Sequence, residues 1–211
     1  MTQNFRLESP GRQRKALVFA STREVLIRCG MELLTEQGFS ATGLDAVLKR
    51  ATVPKGSFYY YFKSKEAFGM AVMDAYDEYF CRKLDRWLLN EEQSPAERLV
   101  DFVTDASAGM QKHNFTRGCL VGNLSQELGA LPATYRARLD EILTGWQSRV
   151  ERCLIEAQAV GALPAHLNCA QLAEFFWIAW EGAVLRARLV RSGRPLRIFI
   201  DAFLETLGAA R

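Results

Sequence analysis

The chain has no run of about 20 apolar residues, the length that a membrane-spanning helix needs. Its best candidate, residues 175–185, is interrupted by Glu181 and closed by Arg186. The first residues lack the basic, apolar and small-residue succession of an export signal. A cytoplasmic protein with no membrane partner is therefore expected. Histidine is scarce, with His113 and His166 far apart. The five cysteines, Cys29, Cys81, Cys119, Cys153 and Cys169, are scattered, odd in number and free of any CxxC pair. Neither a disulfide framework nor a metal site can be assembled from that set, and no cofactor is implied. Sustained period-2 alternation is missing too, which argues against sheet.

What is present is a chain of 211 residues, 49% apolar and 24% charged, an ordinary globular composition with room for one large domain or two small ones. The net charge of +3 is unevenly spread. Met1–Lys65 holds 11 Lys+Arg against 5 Asp+Glu, so the remainder is mildly acidic. A basic first third on an acidic body suits contact with a polyanion, although a solvated surface would carry the same excess.

Helical periodicity recurs throughout. Leu26, Cys29, Gly30 and Leu33 define a helix from about Thr22 to Gln37, stopped by Gly38. A short helix follows, with Thr42 as expected N-cap, Asp45 three residues on, and Leu44, Val47, Leu48 and Ala51 inside. After Thr52-Val53-Pro54 a third helix covers about Lys55–Phe62. Ser64 caps a fourth reaching about Trp87, and Ser94-Pro95-Ala96-Glu97 opens a fifth. Longer helices are expected at about 132–161 and 168–192, with a last one from Pro195. The fold class is all-α, and residues 1–14 read as a flexible arm.

Two short helices joined by a tight turn behind a supporting helix are the parts of a DNA-reading helix-turn-helix. Phe58 and Phe62, one turn apart, supply the inner side of the third helix. Lys55, Gly56 and Ser57 give it a small polar N-terminal face, and Tyr59 and Tyr60 have no third apolar side to bury them. Thr42 and Lys65 lie near helix starts, where phosphate is well bound.

These residues carry a resemblance. Gly38 to Leu44, and Val53-Pro54-Lys55-Gly56-Ser57 through the aromatic cluster to Lys65-Glu66, closely resemble the N-terminal domain of TetR-family transcriptional regulators. The resemblance implies a helix-turn-helix domain over 1–65 and an effector-binding, dimerisation domain over 66–211. It implies a homodimeric repressor on a palindromic double-stranded DNA operator, joined through the helices at about 132–161 and 168–192. Thr42, Tyr59 and Lys65 would touch phosphates, and Lys55, Gly56, Ser57 and Tyr60 would face base edges. Gly43 departs from the usual serine or threonine, and Tyr61 replaces a common histidine.

A second segment, Arg117 to Leu128, resembles the branch of that family holding acrylate- and electrophile-responsive repressors, whose matching cysteine belongs to the sensing region. Cys119, beside Arg117 and near a helix start, could have a lowered pKa, although a small buried cysteine is the common alternative. Trp177, Glu181, Val184 and Arg188 share one helix face, read either as lining a pocket for a small anion or carbonyl compound or as an interface with Glu181 and Arg188 at its rim. The expected sensing residues are thus Arg117, Cys119, Asn123, Trp177, Trp180, Glu181 and Arg188. Two competing readings stand beside the repressor: a cysteine-dependent enzyme with His113 as base, and a DNA-binding regulator indifferent to small molecules.

Overall fold

Local capping sets several of the helix starts in the computed structural model, which describes the backbone of residues 10–208 and the side chains of residues 22–208. Helix α1 (Pro10–Gln37) begins earlier than the periodicity implied. Pro10 occupies a first-turn position, and the Arg, Gln, Lys, Ala and Leu that follow are good helix formers. Residues 10–14 of the expected arm are therefore helical, and residues 1–9 lie outside the described residues. α1 stops where Gly38 takes φ +81°, a left-handed conformation that glycine adopts freely.

Helices α2 (Leu44–Ala51) and α3 (Lys55–Tyr61) follow. The expected Thr42 cap is not made. Gly43 holds the N-cap position of α2, and the buried Thr42 hydroxyl donates instead to the Gly38 carbonyl at 2.5 Å. α4 (Lys65–Leu88) starts with Ser64 Oγ accepting from the Ala67 amide. α5 (Pro95–Lys112) starts with a full Ser94/Glu97 capping box. The short α6 (Leu120–Ser125) precedes α7 (Ala133–Ala159), α8 (Cys169–Val190) and α9 (Arg194–Thr206). Asn168 caps α8 by accepting from the Gln171 amide. The described residues are thus all helix and turn.

α4 ties the two ends of the core together. Near its start, Phe68 meets Phe58 and Phe62 edge-on at centroid distances of 5.4 and 5.0 Å, which holds α3 in place. Farther along, Phe80 packs on Trp146 of α7, Phe102 of α5 and Trp177 of α8. Each such pair adds about 0.5–1.5 kcal/mol beyond area burial. The apolar stripe of α7 is spent inside the protomer, with Tyr135, Leu139, Ile142, Trp146 and Val150 all buried. Most of the exposed apolar positions after α6 lie on α8 and α9, where Ile178 is 66% exposed, Leu189 71% and Ile198 53%, with Ile155 of α7 and Val160 at its end also open. The expected interface of 132–161 with 168–192 thus finds more open apolar surface on α8 and α9 than on α7.

Candidate nucleic-acid interface and effector cavity

α3 has two unlike faces. Phe58 is fully buried and Phe62 nearly so, while Tyr59 and Tyr60 are 55% and 70% exposed. Lys55 is exposed, its Nζ 3.8 Å from Asp45, a surface ion pair that solvent weakens. Ser57 is half-buried, and no atom lies within 4 Å of where a Gly56 Cβ would stand, so a duplex backbone can come close. Lys65 is half-buried, with Nζ donating to the Phe39 carbonyl at 2.9 Å and lying 4.3 Å from the Phe39 ring centroid. Thr42 turns its hydroxyl inward. The face offered to solvent is thus Lys55, Gly56, Tyr59 and Tyr60, with Ser57 at its edge.

The second feature is a cavity of about 310 Å³ among α1, α4, α5, α8 and the loop before α6, at the lower end of the range for small-molecule sites. Arg117, Cys119 and Trp180 of the expected sensing residues line it. Tyr76, Phe80, Met110 and Val184 give it apolar walls, and Arg28, Lys83 and His113 bring positive or protonatable groups to it. Lys83 is held by Asp105 at 2.9 Å. These additions come from elements distant in sequence, and only the helix crossing brings them together.

Cys119 differs from its expectation. It is buried, caps α6 with Sγ accepting from the Gly122 amide at 3.4 Å, and has its thiol pushed well above the ordinary range by burial and then by the neighbouring Glu181. Arg117 does not offset this, because its guanidinium turns to α1 and pairs with Glu36 at 3.1 Å and Glu32 at 3.6 Å. The resting thiol is protonated. Glu181 itself is pushed up to about 7 by burial. Its Oε1 and the indole N–H groups of Trp177 and Trp180 are buried without a hydrogen-bond partner among the described residues.

Asn123 and Arg188 serve another purpose than lining the cavity. Asn123 Nδ2 donates to the Leu34 and Thr35 carbonyls, both at 3.0 Å. Arg188 donates to Asn123 Oδ1 at 3.0 Å and to the Glu36 carbonyl at 2.8 Å. These side chains join the Gly38 and Gly118 amides in donating to the carbonyls at the end of α1. Sequence reading missed Glu127, whose carboxylate accepts from the Phe39 and Ser40 amides at 3.0 and 2.7 Å. Together they form a clasp between the α6 region and the turn that carries α2 and α3. The other cysteines pack: Cys29, Cys153 and Cys169 are buried, and Cys81 donates to Asp77.

The chain is similar to known proteins along most of its length. Residues 26–71 match the family described as bacterial regulatory proteins, tetR family, and residues 95–203 match the tetracyclin repressor-like C-terminal domain. The chain is 50% identical over 193 residues to the transcriptional regulator AcuR of Cereibacter sphaeroides, covering 92% of this chain and 88% of that protein. It is 33% identical over 175 residues to the transcriptional repressor NemR of Escherichia coli, covering 83% and 88%. The crystal structure of a TetR regulatory protein from Rhodobacter sphaeroides superposes with a TM-score of 0.85 at 50% identity, covering 86% of this chain and 96% of that one. No helix of the described residues is long and apolar enough to cross a membrane.

Proposed function

Because the chain belongs to the TetR family of transcriptional regulators, we propose that it acts as a homodimeric repressor released from a palindromic operator by a small effector. Residues 1–65 would read DNA, and residues 66–211 would sense and dimerise. The observation that carries the DNA half is the two-faced α3, aromatic and buried behind, cationic and phenolic in front. Lys55, Gly56, Ser57 and Tyr60 would meet base edges, with Tyr59 and Lys65 on phosphates. The Thr42 hydroxyl is better placed to hold the turn than to touch DNA.

A single helix-turn-helix contacts few base pairs, so two copies must be related by a two-fold axis. The exposed apolar faces of α8 and α9, with an open groove of about 620 Å³ between them, are the surface proposed for that contact. An effector in the smaller, cation-lined cavity would press on Cys119 and Arg117, and hence on the clasp that holds the end of α1. A small displacement there re-aims α3, and bistable packing amplifies it. A small unsaturated carboxylate such as acrylate is the effector that the branch resemblance implies. A protonated, buried Cys119 supports a role in lining the cavity over one as a ready nucleophile.

The test is binding to duplex DNA from the gene's own upstream region, with and without acrylate. Acrylate should release the DNA, and operator should weaken acrylate binding by the same factor. Lys55→Ala or Tyr60→Ala should each lower specific affinity by about 1–3 kcal/mol. Equal acrylate affinity with and without operator would defeat the mechanism.

A further inference from the structure

Helix α4 presents Tyr76, Phe80 and Lys83 to the 310 Å³ cavity at i, i+4 and i+7, one face of the helix, and α5 adds Gly109 and Met110. Gly109 stands inside α5, where glycine is the least favourable residue after proline. Its φ is not left-handed, and only Lys83 Nζ, at 3.9 Å, lies within 4 Å of where a Cβ would stand. Neither a turn of the chain nor a crowding neighbour demands glycine at this position. What the missing side chain leaves is room beside a cation in a cavity wall.

The Lys83 side chain is only 16% exposed, and its acidic partner is Asp105 at 2.9 Å. Asp105 does not line the cavity and also accepts from Trp87 Nε1 at 3.2 Å, so it steadies the ammonium from outside. An ammonium has three donors, and this pair uses one. The other two have no partner among the described residues. The lining holds a single carboxylate among those residues, Glu32, already paired with Arg117 and Arg50 at 3.6 and 3.8 Å. Of the remaining cations, Arg117 is turned to α1 and Arg28 is exposed to water. The cavity also has room to spare: its volume is about that of ten waters in the liquid, and acrylate would fill roughly half of it.

We propose that the effector is an extended unsaturated carboxylate, longer than acrylate, whose carboxylate accepts from Lys83 Nζ in the space over Gly109 and whose chain lies against Tyr76, Phe80 and Met110. The inference rests on the reading of this cavity as the effector site. A half-buried ammonium already steadied by Asp105 loses little freedom when it takes a second anion, and a charge-assisted hydrogen bond is among the stronger ones. The Trp87 indole N–H shares the charge of Asp105, which eases the approach of another carboxylate. A flat conjugated chain fits aromatic walls and keeps apolar surface from water. Acrylate uses the same anchor but leaves the apolar end of the cavity unfilled.

The experiment is calorimetric titration of the full-length protein at pH 7.5 with acrylate, with the hexadienoate sorbate, and with the primary amide of sorbate. Sorbate should bind about tenfold or more tightly than either acrylate or the amide. Lys83→Met should lower sorbate affinity by about tenfold or more and leave the amide unchanged. Arg28→Met should leave sorbate binding within about threefold of wild type, since an exposed charge is screened. Gly109→Val installs a better helix former, so its thermal midpoint should match or exceed that of wild type. It should nonetheless bind sorbate about tenfold or more weakly, because its methyl groups take the space beside Lys83. Wild-type sorbate affinity in Lys83→Met together with a loss in Gly109→Val overturns the anchor and leaves the effector cavity standing. Acrylate binding as tightly as sorbate overturns the extended acid and likewise spares the cavity. Binding of none of the probes, or wild-type affinity in both variants, overturns the proposal and the effector site together.

Discussion

Glu181 shows how one buried side chain links stability to pH. Its carboxyl is held near 7 in the folded protein, above the ordinary carboxylate range it regains on unfolding. The folded state therefore binds this proton more tightly, and the stability this confers is present in acid and lost as pH rises through about 7. Glu181→Gln removes the titration. Relative to wild type, the variant should gain about 2–3 kcal/mol between pH 4.5 and 8. Thermal unfolding of both proteins across that range checks it, and parallel curves would mean that Glu181 does not titrate there. Cys119 obeys the same physics from the other side: burial and the adjacent carboxyl keep its proton on, although a helix start and an arginine two residues away had argued for the reverse.

Among the elements, the clasp at the end of α1 connects the two halves. Asn123→Ala deletes two hydrogen bonds to α1 carbonyls and one acceptor of Arg188, which keeps the Glu36 carbonyl, and should cost about 1–3 kcal/mol in urea unfolding. It should also shrink the ratio of operator affinities measured without and with acrylate; an unchanged ratio would remove the clasp from the coupling. Helix starts were legible in the sequence because caps are local, as Ser64, Ser94 and Asn168 show. The two faces of α3 were legible because Phe58 and Phe62 stand one turn apart. The partners of Arg117, Asn123 and Arg188 were not, since Glu36, Leu34 and Thr35 lie far off in sequence and only the crossing of α1 over α6 brings them near. Thr42 misled for a related reason. The left-handed turn at Gly38 folds the chain back, so its hydroxyl meets a carbonyl four residues behind.

At the scale of the whole molecule, the uncovered apolar face of α8 and α9 is the feature that asks for a second copy. Ile178→Asp with Leu189→Asp places a charge on each of the two most exposed apolar positions of α8. The double variant should run as a monomer in size exclusion with light scattering and stay helical. It should also lose operator affinity about 100-fold or more, because two linked half-site contacts become one. A variant that remained dimeric would move the interface elsewhere. The sequence reading paired α8 with α7, whose long apolar stripe is largely buried within the protomer.

Asn123, Arg188 and Glu127 all hold the DNA-facing third by main-chain oxygens and amides of Leu34, Thr35, Glu36, Phe39 and Ser40. Every amino acid except proline carries both of those atoms. Side chains along the reading helices are thus free to drift toward new base sequences while the grip beneath them is unchanged. Under the proposed release mechanism, a lineage built this way can change which promoter it answers to without relearning how to let go.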